Sequence, residues 1–451
     1  MKNLNTRQRP SWREYQQQLQ RPTKEKTILR RILFAILGTL SVFSIYIGFS
    51  SPGATNNGRQ TAAADSEEPV NQLISKKEVQ QLLNQVDLDT VLREQIDLPF
   101  KDRHVNVKTT LDLDLQNHLI EAMDRKNSRF IGIVVMEPDS GKVLSLAGFD
   151  KTNPKANPCL SSEFPAASLF KIVTAAAAVD QYNYTSTTLL RFNGYKHTLY
   201  KSQLKETNNH NTQTISFADS FAQSVNPVFG KIGTLQLGKQ MLEKYGLGFG
   251  FNQPLDFELT VVPSRLTVGD TPYQWAEIAS GFNKDTTLSP LHAAAMVSAV
   301  LNQGYMATPN LVERIIDSNG EVIYRCQPAW ERRAMTSKAS AVLADMMETT
   351  VKTGTAKRLF RSHDHDSILS QLRIGGKTGS IFNSDRDARI DWFAGFAEEK
   401  DGARRLVVAV LVAHEKYIGI RAGAYARMAI SYYFNNHLAH QQASQPDKSN
   451  G

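Results

Sequence analysis

The sequence predicts an α+β fold, a three-layer α/β/α arrangement in which helices cover both faces of an antiparallel sheet. Near residues 130–150, the apolar runs "FIGIVVMEP" and "KVLSLAGFD" are joined by the turn "DSG", which is typical of a β-hairpin. Three further strand patterns follow residue 370: "RIGGKTGSI", "DWFAGFA" and "RLVVAVLVAHE". Because both ends of the domain supply strands, we expect them to close into one sheet, with an inserted helical subdomain between them.

The predicted helices of this insertion lie between residues 165 and 350. The strongest patterns are "SLFKIVTAAAAVDQY", "PLHAAAMVSAVLNQG" and "ASAVLADMMETTVKTG", of which the last two end at Gly304 and Gly354. A final helix is predicted at about Ala424–Asn435. Together these patterns assign residues 108–436 to one domain.

The first 50 residues predict a membrane anchor. Residues 32–49, "ILFAILGTLSVFSIYIGF", carry no charge and are just long enough to span a bilayer. A long basic stretch precedes this run, so we expect residues 1–31 to be a cytoplasmic arm and residues 32–50 a single transmembrane helix. The long basic stretch disfavours a cleaved signal peptide, and a run that is apolar on all faces disfavours a buried core helix.

The remaining segments flank the predicted domain. Residues 51–72 are rich in Gly, Ala and Asn and predict a flexible linker. Residues 73–107 predict a short membrane-proximal region that begins with a helical pattern. Residues 437–451 are rich in Gln and Ser and predict a disordered tail.

Charge and cysteine content limit the function classes. The formal net charge is +8, but we find neither a zinc-type Cys/His spacing nor a glycine-rich phosphate loop, so we expect no nucleic acid partner. A basic chain also suits an anionic membrane or cell-wall surface. Cys159 and Cys326 could form one disulfide in an oxidising compartment or remain free thiols, and the sequence leaves both possibilities open.

A nucleophile and its base are predicted at the start of the Ala-rich helix. Ser168 and Lys171 are three residues apart, so a helix places them on one face. Lysine can deprotonate a serine only if burial or a nearby positive charge lowers its pKa. Alone, the pattern is weak, because Ser168 could be a helix cap. A second copy, Ser202 to Lys205, lies in a polar stretch that predicts a loop.

A second pair of polar residues follows in "SFAQSVNPVFG". Ser224 and Asn226 lie between an apolar stretch and a new helix, where a loop could point both side chains into a cleft. A serine hydroxyl can relay a proton, and an asparagine amide can hold a substrate amide. Taken alone, such a pair is usually a turn or a cap.

A Lys-Thr-Gly box occurs twice, in "VKTGTAKRLF" and in "GGKTGSIFN". Lys352 closes a helical pattern, so we interpret the first box as a helix end with Gly354 as its cap. Lys377 lies in an extended run, where the box can line an edge strand that pairs with an extended substrate. We therefore predict the functional box at Lys377, Thr378, Gly379 and Ser380.

The three motifs in this order resemble the penicillin-binding-protein and serine β-lactamase superfamily. "TTLDLDLQ", "VVMEPDSGKVLSLAG" and "DWFAGFA" are similar to the transpeptidase branch, and the resemblance covers Val105–Asn435. No glycosyltransferase domain fits before residue 105, so the resemblance implies a class B-like, monofunctional protein. Ser380 stands where many transpeptidases carry Thr and keeps the hydroxyl.

The resemblance implies a role for each motif residue and requires neither a cofactor nor a metal. Ser168 would be the acylated nucleophile, Lys171 its base, and Ser224 the proton relay. Lys377 would repel a proton from Lys171. The implied substrate contacts are Asn226 to a substrate amide, Gly379 to substrate backbone, and Thr378 and Ser380 to the terminal carboxylate, with the backbone N–H groups of Ser168 and Ser380 as oxyanion hole.

The implied activity is a serine D,D-transpeptidase that cross-links peptidoglycan stem peptides and is inhibited by β-lactam antibiotics. The catalytic domain would lie on the outer side of a bacterial cytoplasmic membrane. A separate glycosyltransferase and divisome or elongasome proteins would be its partners. The alternatives are a D,D-carboxypeptidase or β-lactamase on the same site, or a non-catalytic β-lactam-binding scaffold.

Overall fold

The computed structural model describes residues 74–87, 91–330, 332–361, 366–383, 385 and 387–444. The predicted cytoplasmic arm (1–31), transmembrane helix (32–50) and linker (51–72) lie outside these residues. Within the described ranges, no helix combines the length and the apolar character that a membrane crossing requires.

Strands and helices alternate irregularly along the chain. The strands are β1 (Gln95–Phe100), β2 (Arg103–Thr109), β3 (Ser128–Met136), β4 (Val143–Asp150), β5 (Phe164–Pro165), β6 (Leu189–Phe192), β7 (Gln213–Ser216), β8 (Thr287–Leu288), β9 (Tyr305–Met306), β10 (Val312–Asp317), β11 (Val322–Arg325), β12 (Arg332–Arg333), β13 (Leu372–Phe382), β14 (Arg389–Glu399) and β15 (Arg405–His414). The helices are α1 (Lys76–Leu83), α2 (Leu113–Glu121), α3 (Lys171–Tyr182), α4 (Phe217–Ala222), α5 (Asn226–Lys231), α6 (Gly238–Gly248), α7 (Pro272–Ser280), α8 (Pro290–Leu301), α9 (Ser337–Lys352) and α10 (Ala422–Ser444).

The central sheet joins strands from both ends of the domain. Its order is β13-β14-β15-β3-β4, and every neighbouring pair is antiparallel. The hairpin of β3 and β4 and the three late strands are therefore where the sequence predicts them. Among the described strands, β13 pairs with β14 alone and therefore forms an edge of this sheet.

Helices cover both faces of this sheet. Along β15, side chains alternate between two cores, because successive residues of a strand point to opposite faces. Val407 and Leu411 pack with residues of α3, α8 and α9, whereas Val408 and Val410 pack with residues of α2 and α10. The predicted three-layer arrangement follows from this alternation.

The three predicted helices of the insertion are present as α3, α8 and α9. The last helix extends further than predicted, because α10 continues to Ser444. The tail predicted from His437 thus begins inside α10, and residues 445–451 lie outside the described residues. Both cysteines are free: Cys159 is buried and Cys326 is partly buried.

A second antiparallel sheet has the order β1-β2-β10-β11. Its β2 crosses residue 107, the end of the predicted membrane-proximal region, and Val107 pairs with Ile315 of β10. Strands from this region thus share a sheet with strands of the predicted domain. Pairing between residues so distant in the chain leaves no local sequence pattern. The sequence therefore predicts a domain boundary at residue 107 that the sheet does not show.

Candidate active site

Ser168 lies in a tight turn immediately before α3, whereas the sequence predicts it at the start of the helix itself. A 3₁₀ turn covers Ala167–Phe170, and α3 begins at Lys171. Ala167 has φ of 48°, a backbone conformation that is uncommon for a residue with a side chain and often occurs at functional sites. A Cβ atom on Gly281 would lie 1.9 Å from the Ala167 carbonyl oxygen, so only glycine fits beside this turn.

Lys171 is fully buried and contacts Ser168. Its Nζ lies 2.9 Å from Ser168 Oγ and 2.8 Å from Asn226 Oδ1, and it also contacts the backbone carbonyl of Ser280. Burial lowers the pKa of this amine well below its ordinary value, and the nearby Lys377 lowers the pKa further. The centroid of the Phe229 ring lies 5.5 Å from Nζ, so an aromatic face adds to the apolar surroundings of the amine.

Ser224 connects Ser168 to Lys377. The two serine hydroxyl oxygens are 2.9 Å apart, and Lys377 Nζ donates to Ser224 Oγ at 3.2 Å. Ser224 has φ of 56°, so its loop takes a left-handed turn that directs the hydroxyl towards Ser168. Lys377 is buried, and burial lowers the pKa of its amine to about 7.

Asn226 is held by a neighbouring segment that the sequence analysis missed. Its backbone N–H donates to the Lys196 carbonyl at 2.7 Å, and its Nδ2 donates to the His197 carbonyl at 3.1 Å. Lys196 Nζ in turn donates to Gln223 at 2.5 Å. The side chain of His197 lines the same cleft, and burial lowers its pKa. No motif marks this segment in the sequence.

The predicted substrate-binding residues line a cleft of about 920 Å³ beside Ser168. Thr378, Gly379 and Ser380 belong to β13, the edge strand of the central sheet. A Cβ atom on Gly379 would lie 3.3 Å from the backbone nitrogen of Ser168, so β13 passes directly beside the turn that carries this residue. The indole N–H of Trp392 in β14 donates to the Pro165 carbonyl at 2.9 Å, which attaches the segment before this turn to the central sheet.

The two Lys-Thr-Gly boxes have different environments. Lys352 is the last residue of α9; its side chain is 60% exposed and pairs with Glu348 at 2.8 Å. The helix cap is Thr353 and not Gly354, which needs to be glycine because a Cβ atom there would lie 2.5 Å from the Ala222 carbonyl oxygen. Ser202 and Lys205 of the second Ser-x-x-Lys copy are exposed.

The first box nevertheless contributes a residue to the cleft. Thr355 Oγ1 lies 2.5 Å from Thr378 Oγ1 and donates to the Ala222 carbonyl at 3.2 Å. Beyond these threonines, three arginines that the sequence analysis missed line the cleft: Arg358, Arg389 and Arg421. Arg389 Nε donates to Ser380 Oγ at 2.8 Å. Nothing in the local sequence distinguishes these arginines from surface ones.

A family model described as "Penicillin binding protein transpeptidase domain" matches residues 131–432. The chain belongs to this family. This match confirms the resemblance that the three motifs indicate. Among the described residues of this penicillin-binding-protein domain, no group of three or more His, Cys, Asp and Glu side chains could hold a metal ion.

Two curated relatives are similar over much of this family domain. Stage V sporulation protein D of Bacillus subtilis is 24% identical over 335 residues, which cover 68% of this chain and 49% of that protein. Peptidoglycan D,D-transpeptidase PbpA of Mycolicibacterium smegmatis is 24% identical over 346 residues, which cover 68% of this chain and 67% of that protein. The chain thus spans about half to two thirds of the length of these relatives.

Solved structures of the family share the fold. The D,D-transpeptidase domain of a peptidoglycan glycosyltransferase from Eggerthella lenta superposes with a TM-score of 0.60 at 22% identity, covering 73% of this chain and 83% of that one. The ceftriaxone acyl-enzyme complex of penicillin-binding protein A from Mycobacterium tuberculosis gives a TM-score of 0.59 at 22% identity, covering 73% and 79%. These likenesses confirm the predicted α+β fold class.

Proposed function

We propose that this chain is a serine D,D-transpeptidase that cross-links peptidoglycan stem peptides and is acylated by β-lactam antibiotics. One observation carries the proposal: Ser168 Oγ lies between Lys171 Nζ and Ser224 Oγ, at 2.9 Å from each. The names of the relatives support it, since one is a peptidoglycan D,D-transpeptidase and a similar structure is a β-lactam acyl-enzyme.

In the first step, Ser168 Oγ attacks the carbonyl carbon of a D-Ala-D-Ala peptide bond. Neutral Lys171 accepts the hydroxyl proton as the new C–O bond forms. The charge on the substrate oxygen is stabilised by the backbone N–H groups of Ser168 and Ser380, each worth about 3–4 kcal/mol in such a site. No cofactor takes part in this step.

In the second step, the C–N bond breaks and the departing nitrogen needs a proton. Ser224 is the hydroxyl donor beside Ser168, and Lys377 donates to Ser224 in turn. Ser224 gives its hydroxyl proton to the leaving D-alanine and receives in exchange the proton that Lys171 took from Ser168, because the acylated Ser168 oxygen carries none. An acceptor amine then attacks the acyl-enzyme by the reverse path and forms the cross-link.

The remaining motif residues hold the substrate. Thr378 and Ser380 bind its terminal carboxylate, and Arg389 adds a positive charge at Ser380. Asn226 binds a substrate amide, and Gly379 leaves room for the substrate backbone along the edge of β13. These roles are the ones that the family resemblance implies.

The carboxylate that lines the cleft is a poor candidate for the base of a β-lactamase. Rapid deacylation by water needs a free carboxylate or another base near the ester. Asp391 is the one carboxylate among the described residues that line the cleft, and it accepts from the Ala422 N–H at 3.1 Å. Its Oδ2 is thus engaged at the start of α10, which disfavours Asp391 as the water-activating base of a β-lactamase.

Covalent labelling tests this proposal. The full chain, purified in detergent, is mixed with benzylpenicillin and examined by intact mass spectrometry beside the Ser168→Ala variant. We expect one stable penicilloyl adduct on the wild type and none on the variant. Folded wild-type protein that forms no adduct would refute the enzyme assignment, and rapid nitrocefin turnover without an adduct would favour a β-lactamase.

We also propose the cellular arrangement that the sequence predicts. Residues 32–50 anchor the chain in the cytoplasmic membrane, and residues 51–72 link the anchor to the outer side. The class B-like catalytic domain works with a separate glycosyltransferase and with divisome or elongasome proteins. Cell fractionation of the full chain and of a variant without residues 1–50 tests the anchor. A full chain found in the soluble fraction would contradict it.

A further inference from the structure

Three of the residues that line the cleft carry positive charges and are together called the arginine end: Arg358, Arg389 and Arg421. Arg389 is bound to Ser380 Oγ at 2.8 Å. Arg421 lies 3.9 Å from Asp391, with a side chain that is 43% exposed. In the part of the chain that the structure describes, the guanidinium of Arg358 makes no ion pair or hydrogen bond. The arginine end therefore carries positive charge that the described residues only partly neutralise.

The turn that carries Arg358, on one side of the cleft, is held against α10. Leu359 packs against Gly423 at the start of α10, where a Cβ atom on the glycine would lie 2.4 Å from Leu359 Cδ1. Arg427 of α10 donates to the carbonyl oxygens of Leu359 and Arg361 at 3.3 and 3.0 Å. The turn that carries Arg358 is thus attached to the helix that follows Arg421, and both residues stay on one wall.

The arginine end lies next to the residues that hold the substrate's terminal carboxylate. Thr355, which contacts Thr378 at 2.5 Å, belongs to the same turn as Arg358. That carboxylate belongs to the leaving D-amino acid, and its amine is the group released from the acyl carbon. Since the buried lysines lose protons easily, the lasting positive charge here comes from the arginines, which stay protonated at every ordinary pH.

The acceptor must occupy the place that the leaving group has vacated, because aminolysis of the acyl-enzyme is the reverse of acylation. Its nitrogen bonds to the acyl carbon and loses a proton to Ser224, which passes one to Lys171. As the bond to Ser168 Oγ breaks, Lys171 returns this proton to Ser168. An acceptor whose amine and carboxylate share one carbon would place its carboxylate in the same region, where the arginine end adjoins Thr378 and Ser380.

On the basis of the proposed function, we propose that Arg358 and Arg421, beside Arg389, form a carboxylate subsite for the acceptor. The preferred acceptor is then an α-amino carboxylate, as at the side-chain end of a diaminopimelate residue. A lysine stem offers an amine without that carboxylate and would be the poorer acceptor. Guanidinium groups suit this role because they bind carboxylates through paired hydrogen bonds.

Competition between two acceptors tests the subsite. The full chain in detergent is given an N-benzoyl-D-alanyl thioester as donor, with D-alanine or D-alaninamide at equal concentrations of unprotonated amine. Mass spectrometry measures the ratio of amide product to hydrolysed product. We expect a ratio about tenfold higher for D-alanine, because a site built for a polar group rejects an analogue without it.

Variants assign this preference to the arginines. Arg358→Gln and Arg421→Gln should each reduce the D-alanine preference severalfold, and higher salt should reduce the wild-type preference, since exposed charges are screened. Lys357→Gln removes a charge beside Arg358 that does not line the cleft, and we expect it to keep the wild-type ratio. Penicillin adduct formation shows that each variant keeps a folded site.

The outcomes separate this inference from the function on which it rests. A protein that forms the penicillin adduct but uses both acceptors equally would overturn the subsite alone. An unchanged preference in both arginine variants would overturn it as well. A protein that neither forms the adduct nor consumes the thioester would overturn the proposed function itself.

Discussion

Lys171 Nζ lies 2.9 Å from Ser168 Oγ, and its two other contacts, Asn226 Oδ1 and the Ser280 carbonyl, are oxygen atoms that can only accept hydrogen bonds. A neutral amine has two N–H donors and one lone pair. The two acceptors use both donors, so the lone pair is left for the Ser168 hydroxyl. Lys377 then donates to Ser224, Ser224 to Ser168, and Ser168 to Lys171, so that every hydrogen bond points towards the base.

This arrangement predicts that Lys171 cannot be replaced by arginine. A guanidinium remains protonated and has no basic lone pair, so Lys171→Arg should slow acylation by benzylpenicillin by at least about 100-fold. The second-order rate of adduct formation measures this loss. A variant that is folded, as judged by its melting temperature, and acylates at the wild-type rate would show that Lys171 is not the base.

The same amine predicts how acylation depends on pH. Because burial and Lys377 lower the pKa of Lys171, the neutral, active form should persist at neutral pH and be lost only as the pH falls through that lowered pKa. Acylation rates measured across an acidic to alkaline series of buffers test this. A rate that rises only above pH 9 would mean that Lys171 keeps its ordinary pKa.

The two Lys-Thr-Gly boxes predict opposite results for the same substitution. Lys377→Ala should strongly reduce penicillin acylation, since it removes the buried partner of Ser224. Lys352→Ala removes an exposed helix-end lysine and should leave acylation within about twofold of the wild type, as is usual for surface sites. The reverse result would transfer the functional box to residues 352–354.

Burial of Lys377 predicts a dependence of stability on pH. The pKa of this amine is about 7 in the folded protein and near 10.5 in the unfolded chain, so the unfolded chain binds more protons between these values. The wild type should therefore become more stable as the pH rises from 7 towards 10. Urea unfolding at several pH values measures the free energy of unfolding.

The Lys377→Met variant is the control for this dependence. It should exceed the wild type in stability by up to a few kcal/mol at pH 7, given about 1.4 kcal/mol for each tenfold change in proton affinity. Its advantage should shrink as the pH approaches 10. A constant difference across this range would show that Lys377 is charged in the folded protein.

Gly379 predicts a steric effect on the nucleophile. A Cβ atom there would lie 3.2 Å from Ala167 Cβ and 3.3 Å from the Ser168 nitrogen, closer than ordinary contacts. Gly379→Ala should therefore shift the turn and slow acylation by about tenfold or more, because small displacements of reacting groups are costly. We expect little change in melting temperature. Unchanged acylation would indicate that the turn adapts freely.

Much of this protein follows from local sequence. The β3–β4 hairpin, the late strands and helices α3, α8 and α9 have periodic apolar patterns that depend only on neighbouring residues. The three motifs are equally local, because a fixed spacing on a turn, loop or strand gives each one its shape. The different settings of Lys352 and Lys377 were predictable as well, since one ends a helical pattern and the other lies in an extended one.

Only the tertiary structure decided the rest. It paired β2 with β10, brought Thr355 to Thr378, and placed His197 and three arginines around the cleft. It also buried Lys171 and Lys377 together, which lowers the pKa of both amines. Contacts between residues far apart in the chain, and the removal of charged groups from water, arise from packing of the whole domain, so no short stretch of sequence encodes them.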